Sequence, residues 1–373
     1  MGREHIANLS FIDGATVTAI ADPNSDSRDR ALEQVASSMP GASVRAFTHH
    51  QELFDSGLCD AVIIATPNFT HATVLKDALA TELHVFIEKP LCTTISDCID
   101  VIEWAEQRSH RSKALVWMGL EYRYMPPVAE LIKITDSGGV GRVHQVAIRE
   151  HREPFYPKVD NWNRFTEKTG GTLVEKCCHY FNLMERIIGQ TPTKVYATGG
   201  QRVNFLDESY DGREADMLDS AFVVLDYPDG ARAMLDLCMF AENTVDKEHI
   251  SVVGDGGKVE SFLPSLELRH GKRSSVGNFK EWTYDASKPK DLTVKKVWDD
   301  RIKYPGFHYG ASYLEHLHFF QAMSEGHSPE VSLQEGMRSV AVGIAAQKSI
   351  ESGRVVEMGE IVPAKYRELE AVR

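Results

Sequence analysis

Positive charge is in short supply. Lys and Arg number 41 against 54 Asp and Glu, leaving a net charge of −13. An acidic surface repels phosphate backbones, so a general role on nucleic acid or an anionic membrane is excluded, although a local anion pocket is not. Long apolar runs are missing too. No stretch approaches the ~18–20 residues that a membrane helix needs, and the first residues hold no hydrophobic core of the signal-peptide kind. Cysteine is sparse. Cys59, Cys92, Cys98, Cys177, Cys178 and Cys238 form no CxxC pair, which argues against a disulfide scaffold or zinc ribbon and for a reducing, cytoplasmic setting. Internal repeats and low-complexity segments are absent. What is present, 42% hydrophobic and 25% charged residues over 373 positions, fits a globular chain too long for one core. Two domains are expected.

The first third alternates short apolar runs with helical spacing. Thr16–Ala21, Ser43–Phe47, Ala61–Thr66, His84–Ile87 and Ala114–Met118 read as strands. Arg28–Ser37, His50–Ser56, Thr70–Ala80 and a helix capped by Ser96 and running to Arg108 fall between them. Near-continuous apolarity in Ala61–Thr66 implies burial on both faces, the habit of parallel sheets. This is the doubly wound α/β pattern. Beyond about residue 140 the strands alternate apolar and polar positions (Val143–Glu150, Lys194–Thr198, Ser220–Tyr227, Ala231–Leu237). Tyr227-Pro228-Asp229-Gly230 and Gly254-Asp255-Gly256-Gly257 supply turns, so an antiparallel sheet with one covered face is expected. Helices over Thr172–Ile188, Tyr309–Ser324 and Leu333–Ser352 each stop at or just before a glycine. Residues 270–305 read as a long polar excursion. The expected domains are 1–122 and 123–373.

The start of the chain lacks something as well. In a dinucleotide-binding unit a strand precedes G-x-G-x-x-G, a helix opens at the last glycine, and an acidic residue follows ~20 positions on to bind ribose hydroxyls. Gly2 stands twenty positions before Asp22, with a helical stretch at Arg3–Leu9 between them. This fits the back half of that unit, with its first strand and first two glycines lying before Met1. A chance spacing is the plain alternative.

Three further segments carry chemistry. Thr66-Pro67-Asn68-Phe69-Thr70-His71 follows an apolar strand, where ligands bind in open α/β sheets; Asn68 or Thr70 could equally cap the next helix. Glu88-Lys89-Pro90 follows another strand. A partly desolvated lysine there is suited to acid–base work, while a surface ion pair is the plain alternative. In Gly170-Gly171-Thr172-Leu173-Val174-Glu175-Lys176-Cys177-Cys178-His179, Glu175 and His179 are four apart and would share a helix face near its start. They could relay a proton from a substrate hydroxyl or form a helical salt bridge. Cys177-Cys178-His179 suggests no metal, because adjacent helical residues point in different directions. The segment Arg152–Arg164, with Trp162 and Asn163, could line a sugar pocket or be a surface loop. His49-His50 and His316/His318 lack partners at ligand spacing and read as structural.

Taken in order, residues 1–24 (MGREH…ADPN), 65–71 (ATPNFTH), 88–91 (EKPL), 119–126 (GLEYRYMP) and 170–182 (GGTLVEKCCHYFN) resemble the glucose–fructose oxidoreductase/inositol dehydrogenase (Gfo/Idh/MocA) family. The resemblance implies a Rossmann domain followed by an α+β domain with a large open sheet. It also implies NAD or NADP as cofactor and hydride transfer to or from a sugar, polyol or inositol-like substrate. Carried over by position, Lys89, His179 and Glu175 are the catalytic residues. Gly2, Asp22, Thr66, Pro67, Asn68, His71, Glu88 and Lys89 surround the dinucleotide. Arg123, Trp162 and Asn163 face the substrate. Asp22 favours NAD, since its charge repels a 2′-phosphate, and Arg28 leaves room for NADP. A homodimer or homotetramer through the open sheet is implied.

The sequence departs from the family pattern at its start, at Glu175 (usually Asp), at Cys177 (usually Gly) and at Asn182 (usually Asp). The short start is expected to reflect an upstream segment in the real product, because everything downstream reads as an enzyme; the alternative is a short form that is unstable or devoid of cofactor. Two rival functions are a non-enzymatic dinucleotide-binding or scaffold protein, and a trans-dihydrodiol or bilin-type reductase of the same fold.

Overall fold

A computed structural model describes residues 1–273 and 291–367. The chain forms two compact units. The first comprises residues 1–124, 167–170 and 300–340, and the second 125–166, 171–299 and 341–373. Residues 300–340, placed by the sequence reading in the second domain, thus belong to the first unit.

The first unit opens with α1 (Gly2–Leu9), β1 (Ala19–Ala21), α2 (Ser25–Ser38), β2 (Arg45–Phe47) and α3 (His50–Asp55). It continues with β3 (Ala61–Ile64), α4 (His71–Leu79), β4 (His84–Glu88), α5 (Ile95–Ser109) and β5 (Val116–Gly119). The strands form two parallel ribbons, β1-β2 and β3-β4-β5. Ile6, Val17 and Val35 make the apolar contact that seats α1 against α2. β4 has a strand on either side, and its Val85, Phe86 and Ile87 are wholly buried. β3, expected to be buried on both faces, is an edge of its ribbon, so only Ile64 is buried. The cap of α5 is Thr94, whose hydroxyl accepts from the Asp97 N–H at 3.1 Å, and not Ser96, which sits inside the first turn. Helix Ala311–Glu325 brings Phe319 edge-on to Phe86 and Trp117, and the Trp117 indole N–H donates to Glu315 at 3.2 Å.

In the second unit α6 (Pro126–Asp136), β6 (Val143–His151), α7 (Thr166–Thr169, whose last three residues belong to the first unit), α8 (Thr172–Glu175) and α9 (Cys178–Ile188) come first. Then follow β7 (Lys194–Gly200), the hairpin β8–β9 (Ser209–Tyr210, Arg213–Glu214), β10 (Ser220–Asp226), β11 (Arg232–Cys238), β12 (Glu248–Gly254), β13 (Gly257–Leu263), β14 (Glu267–Lys272), β15 (Leu292–Lys296) and β16 (Val356–Glu357). Nine strands form one sheet in the order β15-β14-β13-β12-β6-β11-β10-β7-β16. Every neighbouring pair is antiparallel except β6–β11. The turn at 227–230 closes with the Gly230 N–H on the Tyr227 carbonyl, and Gly230 takes φ +87°, which a side chain would disfavour. Along β10, Ala221, Val223 and Leu225 are buried while Phe222 and Val224 are exposed, as the strand period requires. Of the expected 270–305 excursion, Leu292–Lys296 is a strand paired with β14, and residues 274–290 lie outside the described residues.

One expected helix is two. Thr172–Ile188 breaks at Lys176 and Cys177. The Lys176 N–H still closes on the Thr172 carbonyl (3.0 Å), and the ladder resumes with Tyr180 N–H to Cys177 carbonyl (2.9 Å). The Lys176 ammonium lies 2.9 Å from Glu150 Oε1 on β6, an attachment that coincides with the break. Glu175 and His179 therefore sit on separate helices and do not share one helical face.

Candidate active site

In a parallel ribbon the C-terminal strand ends share one edge, and the first unit's candidate residues follow those ends. After β1, Asp22 accepts from the Asn24 N–H at 2.8 Å, and Asn24 caps α2 through Ser27 N–H at 2.9 Å. The Arg28 guanidinium donates to the Asp22 and Pro23 carbonyls at 2.7 and 3.2 Å, so two backbone acceptors already engage it. After β3, Asn68–Thr70 form a short 3₁₀ turn. Thr70 stands at the N-cap position of α4 but makes no side-chain capping bond: its hydroxyl donates to the Pro67 carbonyl (2.7 Å), and the buried Asn68 amide donates to the Thr169 carbonyl (3.2 Å). His71 is fully buried. Its Nδ1 lies 2.8 Å from the Pro90 carbonyl and its Nε2 3.1 Å from the Thr66 carbonyl. Burial lowers its pKa, although both carbonyls oppose the shift. The ring thus ties the loop after β3 to the loop after β4.

After β4 the buried Glu88 stands 2.9 Å from His5 Nε2, and its other oxygen accepts from the Lys89 N–H at 3.1 Å. Burial works to raise the Glu88 pKa, but the contact with His5, the His5 charge and the Lys89 charge outweigh it and pull the carboxyl down to about 2. Glu88 is held as an anion beside Lys89. Arg123, expected at the substrate, is committed within this unit: it pairs with Glu335 at 2.8 Å and donates to the Glu330 carbonyl at 3.2 Å.

In the second unit Glu175 and His179 are both buried. The Lys158 ammonium sits 3.0 Å from Glu175 Oε1 and 4.4 Å above the Trp162 ring. Asn163 clamps this loop, accepting from the Lys158 N–H (3.2 Å) and donating to the Tyr156 carbonyl (2.9 Å), so its amide is spent on the backbone. Asp160 and Asn161 between them take φ +52° and +48°, a conformation that costs energy and concentrates at functional loops. The structure brings Lys158, Trp162, Asn163 and Glu175 together. Lys158 was missed from the sequence because it stands seventeen positions before Glu175, across a 3₁₀ segment and α7; the one available signal was its place in the aromatic and basic stretch.

Gly171 sets the start of α8. Its φ of +87° and ψ of 161° fall in a region essentially reserved for glycine, and an added Cβ would lie 1.5 Å from Gln347 Nε2. Gly171→Ala is expected to destabilise the chain by ~1–3 kcal/mol, measured as an earlier midpoint in urea denaturation. A midpoint equal to the parent's would show that the backbone there can relax.

Two family models cover the chain in order. Residues 1–114 match the oxidoreductase family's NAD-binding Rossmann fold, and residues 133–358 match its C-terminal alpha/beta domain. The chain belongs to the Gfo/Idh/MocA oxidoreductase family. It is 26% identical to myo-inositol 2-dehydrogenase of Thermotoga maritima over 366 residues, 97% of each chain. It is 23% identical to inositol 2-dehydrogenase of Rhizobium meliloti over 368 residues, 96% of each. Among solved structures, a probable dehydrogenase from Thermotoga maritima superposes with a TM-score of 0.71 at 25% identity, covering 96% of both chains. A levoglucosan dehydrogenase in complex with NADH and levoglucosan shares the fold, with a TM-score of 0.78 at 18% identity, covering 96% of this chain and 95% of that one. Among the described residues, no helix of this family member is long and apolar enough to cross a membrane, and no cluster of three or more His, Cys, Asp or Glu could hold a metal ion.

Proposed function

We propose that the chain is an NAD-dependent dehydrogenase or reductase of a sugar, polyol or inositol-like substrate. The carrying observation is the ordered match to both family domains, with Lys89 directly after the buried strand β4 and beside an ionised Glu88. The donor set suits the dinucleotide. Asp22 offers a carboxylate to vicinal ribose hydroxyls. The first-turn amides of α1 face an anion without obstruction at Gly2, where a Cβ would meet nothing within 4 Å. Thr66, Pro67 and Asn68 form the wall, and His71 braces it from behind. Asp22 repels a 2′-phosphate, and Arg28 is already engaged by backbone carbonyls, so NAD is preferred over NADP.

Bound NAD supplies the hydride acceptor. Lys89 takes the proton of the substrate hydroxyl during oxidation and returns it during reduction, with His179 sharing the role. Glu175, held by Lys158, accepts a hydrogen bond from a neighbouring substrate hydroxyl. The exposed Tyr196, Phe222, Val224 and Met234 on strands β7, β10 and β11 support self-association into a homodimer or homotetramer through that sheet face.

Titration of the chain with NADH should give saturable fluorescence changes. A panel of cyclic polyols and aldoses with NAD should yield NADH with at least one member, and NAD should exceed NADP in kcat/KM. Binding without turnover across the panel would leave a dinucleotide-binding protein and remove the dehydrogenase reading.

A further inference from the structure

At the opposite end of β4 from Lys89, the first unit holds a cavity that the reaction does not use. Its volume is about 380 Å³, within the range of small-molecule sites. His84, the first residue of β4, and Leu115, just before β5, line it. So do Glu82, Ser112, Lys113 and Met323, the last on helix Ala311–Glu325. The four residue rises from His84 to Glu88 set it ~13 Å along the strand from the end that carries Lys89.

Most polar groups around this cavity have a proton to give. The Leu115 main-chain N–H donates to His84 Nδ1 at 3.0 Å, so that nitrogen is bare and the ring's proton sits on Nε2. Burial, and then the Arg108 charge, lower the His84 pKa against the pull of Asp60, in keeping with a neutral ring. His84 Nε2 has no partner among the described residues. The Ser112 oxygen accepts from the Ala114 N–H at 3.2 Å and keeps its own O–H to donate. Lys113 is exposed and forms no ion pair among the described residues. Behind the wall stands Arg108, 2% exposed. Its guanidinium donates to the Leu83 carbonyl, while Nε and Nη1 have no partner among the described residues. A buried cation without a close counter-ion is costly. Glu82 supports Arg108, but it is shared with Arg111 at 3.8 Å, and both partners of that pair are more than half exposed. Glu325 lies 3.4 Å from the exposed His327. Lys113 and Arg108 are thus left without a carboxylate at ion-pair distance among the described residues.

We infer that this cavity binds a small molecule carrying a carboxylate or phosphate head on an apolar body. His84 Nε2–H, the Ser112 hydroxyl and the Lys113 ammonium bond the oxyanion. Arg108 supplies charge from behind, and Leu115, Ala322 and Met323 meet the apolar part. A chain of net charge −13 repels anions in general, so an anion that binds is drawn by a local site. The site is separate from Lys89 and does not depend on the dehydrogenase reading.

Phenyl phosphate and benzoate test it on the full chain at constant ionic strength, with inorganic phosphate as the head alone and phenol as the body alone. The readout is the ¹H–¹⁵N spectrum of the histidine rings, with His84 assigned through His84→Gln. His84 is expected to be neutral and protonated on Nε2. At least one of the two complete anions should shift the His84 signals saturably with a Kd below ~10 mM, binding ~5-fold or more tighter than inorganic phosphate or phenol. Tighter binding of phenyl phosphate assigns a phosphate head, and tighter binding of benzoate a carboxylate. Lys113→Ala should weaken the bound anion ~3-fold, and Arg108→Met ~5-fold or more, with NADH affinity unchanged in both. His84 signals that stay fixed up to ~20 mM of every anion overturn the site. Displacement of the anion by NADH overturns it too, since the anion would then lie where the dinucleotide binds. Phenol binding as tightly as phenyl phosphate and benzoate, or full affinity in both variants, overturns the anion class. Should Arg108→Met fail to fold, Lys113→Glu reverses an exposed charge and is expected to abolish the His84 shift; a shift that persists there overturns the anion class as well.

Discussion

Lys89→Ala is expected to cut turnover by ~10²-fold or more while leaving NADH affinity within about twofold. The side chain emerges where β4 ends, and its main-chain N–H is anchored on Glu88 independently of the ammonium. Truncation therefore removes the acid–base group without moving the strand. Lys89 is only partly buried, so no large cavity is left behind and the melting temperature should hold. Lys89→Arg should not rescue turnover. A guanidinium keeps its charge throughout the working pH range and cannot accept the substrate proton. The decisive pair of measurements is single-turnover NADH formation and a fluorescence titration of the cofactor. Turnover within about threefold of the parent would take Lys89 out of the chemistry.

What could be read from residues alone follows the range of the forces involved. The hairpin at 227–230 was legible because Pro228, Asp229 and Gly230 fix their own turn, with the Asp229 carboxylate accepting from Ala231 N–H at 3.0 Å. The parallel strands of the first unit were legible from local apolar runs. The burial of β3 was not, because exposure depends on which strand lies alongside and not on composition. The α5 cap went to Ser96 instead of Thr94 because two hydroxyls two residues apart offer the same local signal. The break between α8 and α9 left no trace in the helical spacing, since the Lys176–Glu150 contact beside it joins residues 26 positions apart. His316 read as structural, and its contact with His5, 311 positions away, leaves no local trace either. Arg123, Asn163 and His71 show the converse. Each lies in a segment the motifs single out, but each also hydrogen-bonds to groups of its own unit, which no motif states.

The Lys176–Glu150 pair should carry the largest stability effect in the second unit. Glu150 is 0% exposed and lies directly across the ladder from Glu248, another buried carboxylate. The Arg152 guanidinium pairs with the same Glu150 oxygen at 3.6 Å and offsets part of the charge once the ammonium is gone. Lys176→Leu would leave the buried Glu150 with the more distant Arg152 as counter-ion, a loss of ~2–3 kcal/mol, short of the ~3–5 kcal/mol of a wholly unpaired buried charge, and a drop in melting temperature on the order of 5 °C. Replacing both partners in Lys176→Leu/Glu150→Leu removes the charge along with its counter-ion and should recover most of the loss, because apolar isosteres often equal a buried pair in stability. A double variant as unstable as Lys176→Leu would show that the lysine acts by packing and not by charge. The recovered double variant then makes a separate point about function. Its sheet and core would be sound, yet the tether between β6 and the turn joining α8 to α9 would be gone, freeing Glu175 and His179 to drift relative to each other. Its kcat should accordingly fall ~10-fold or more despite restored stability, since small misplacements of catalytic groups are costly.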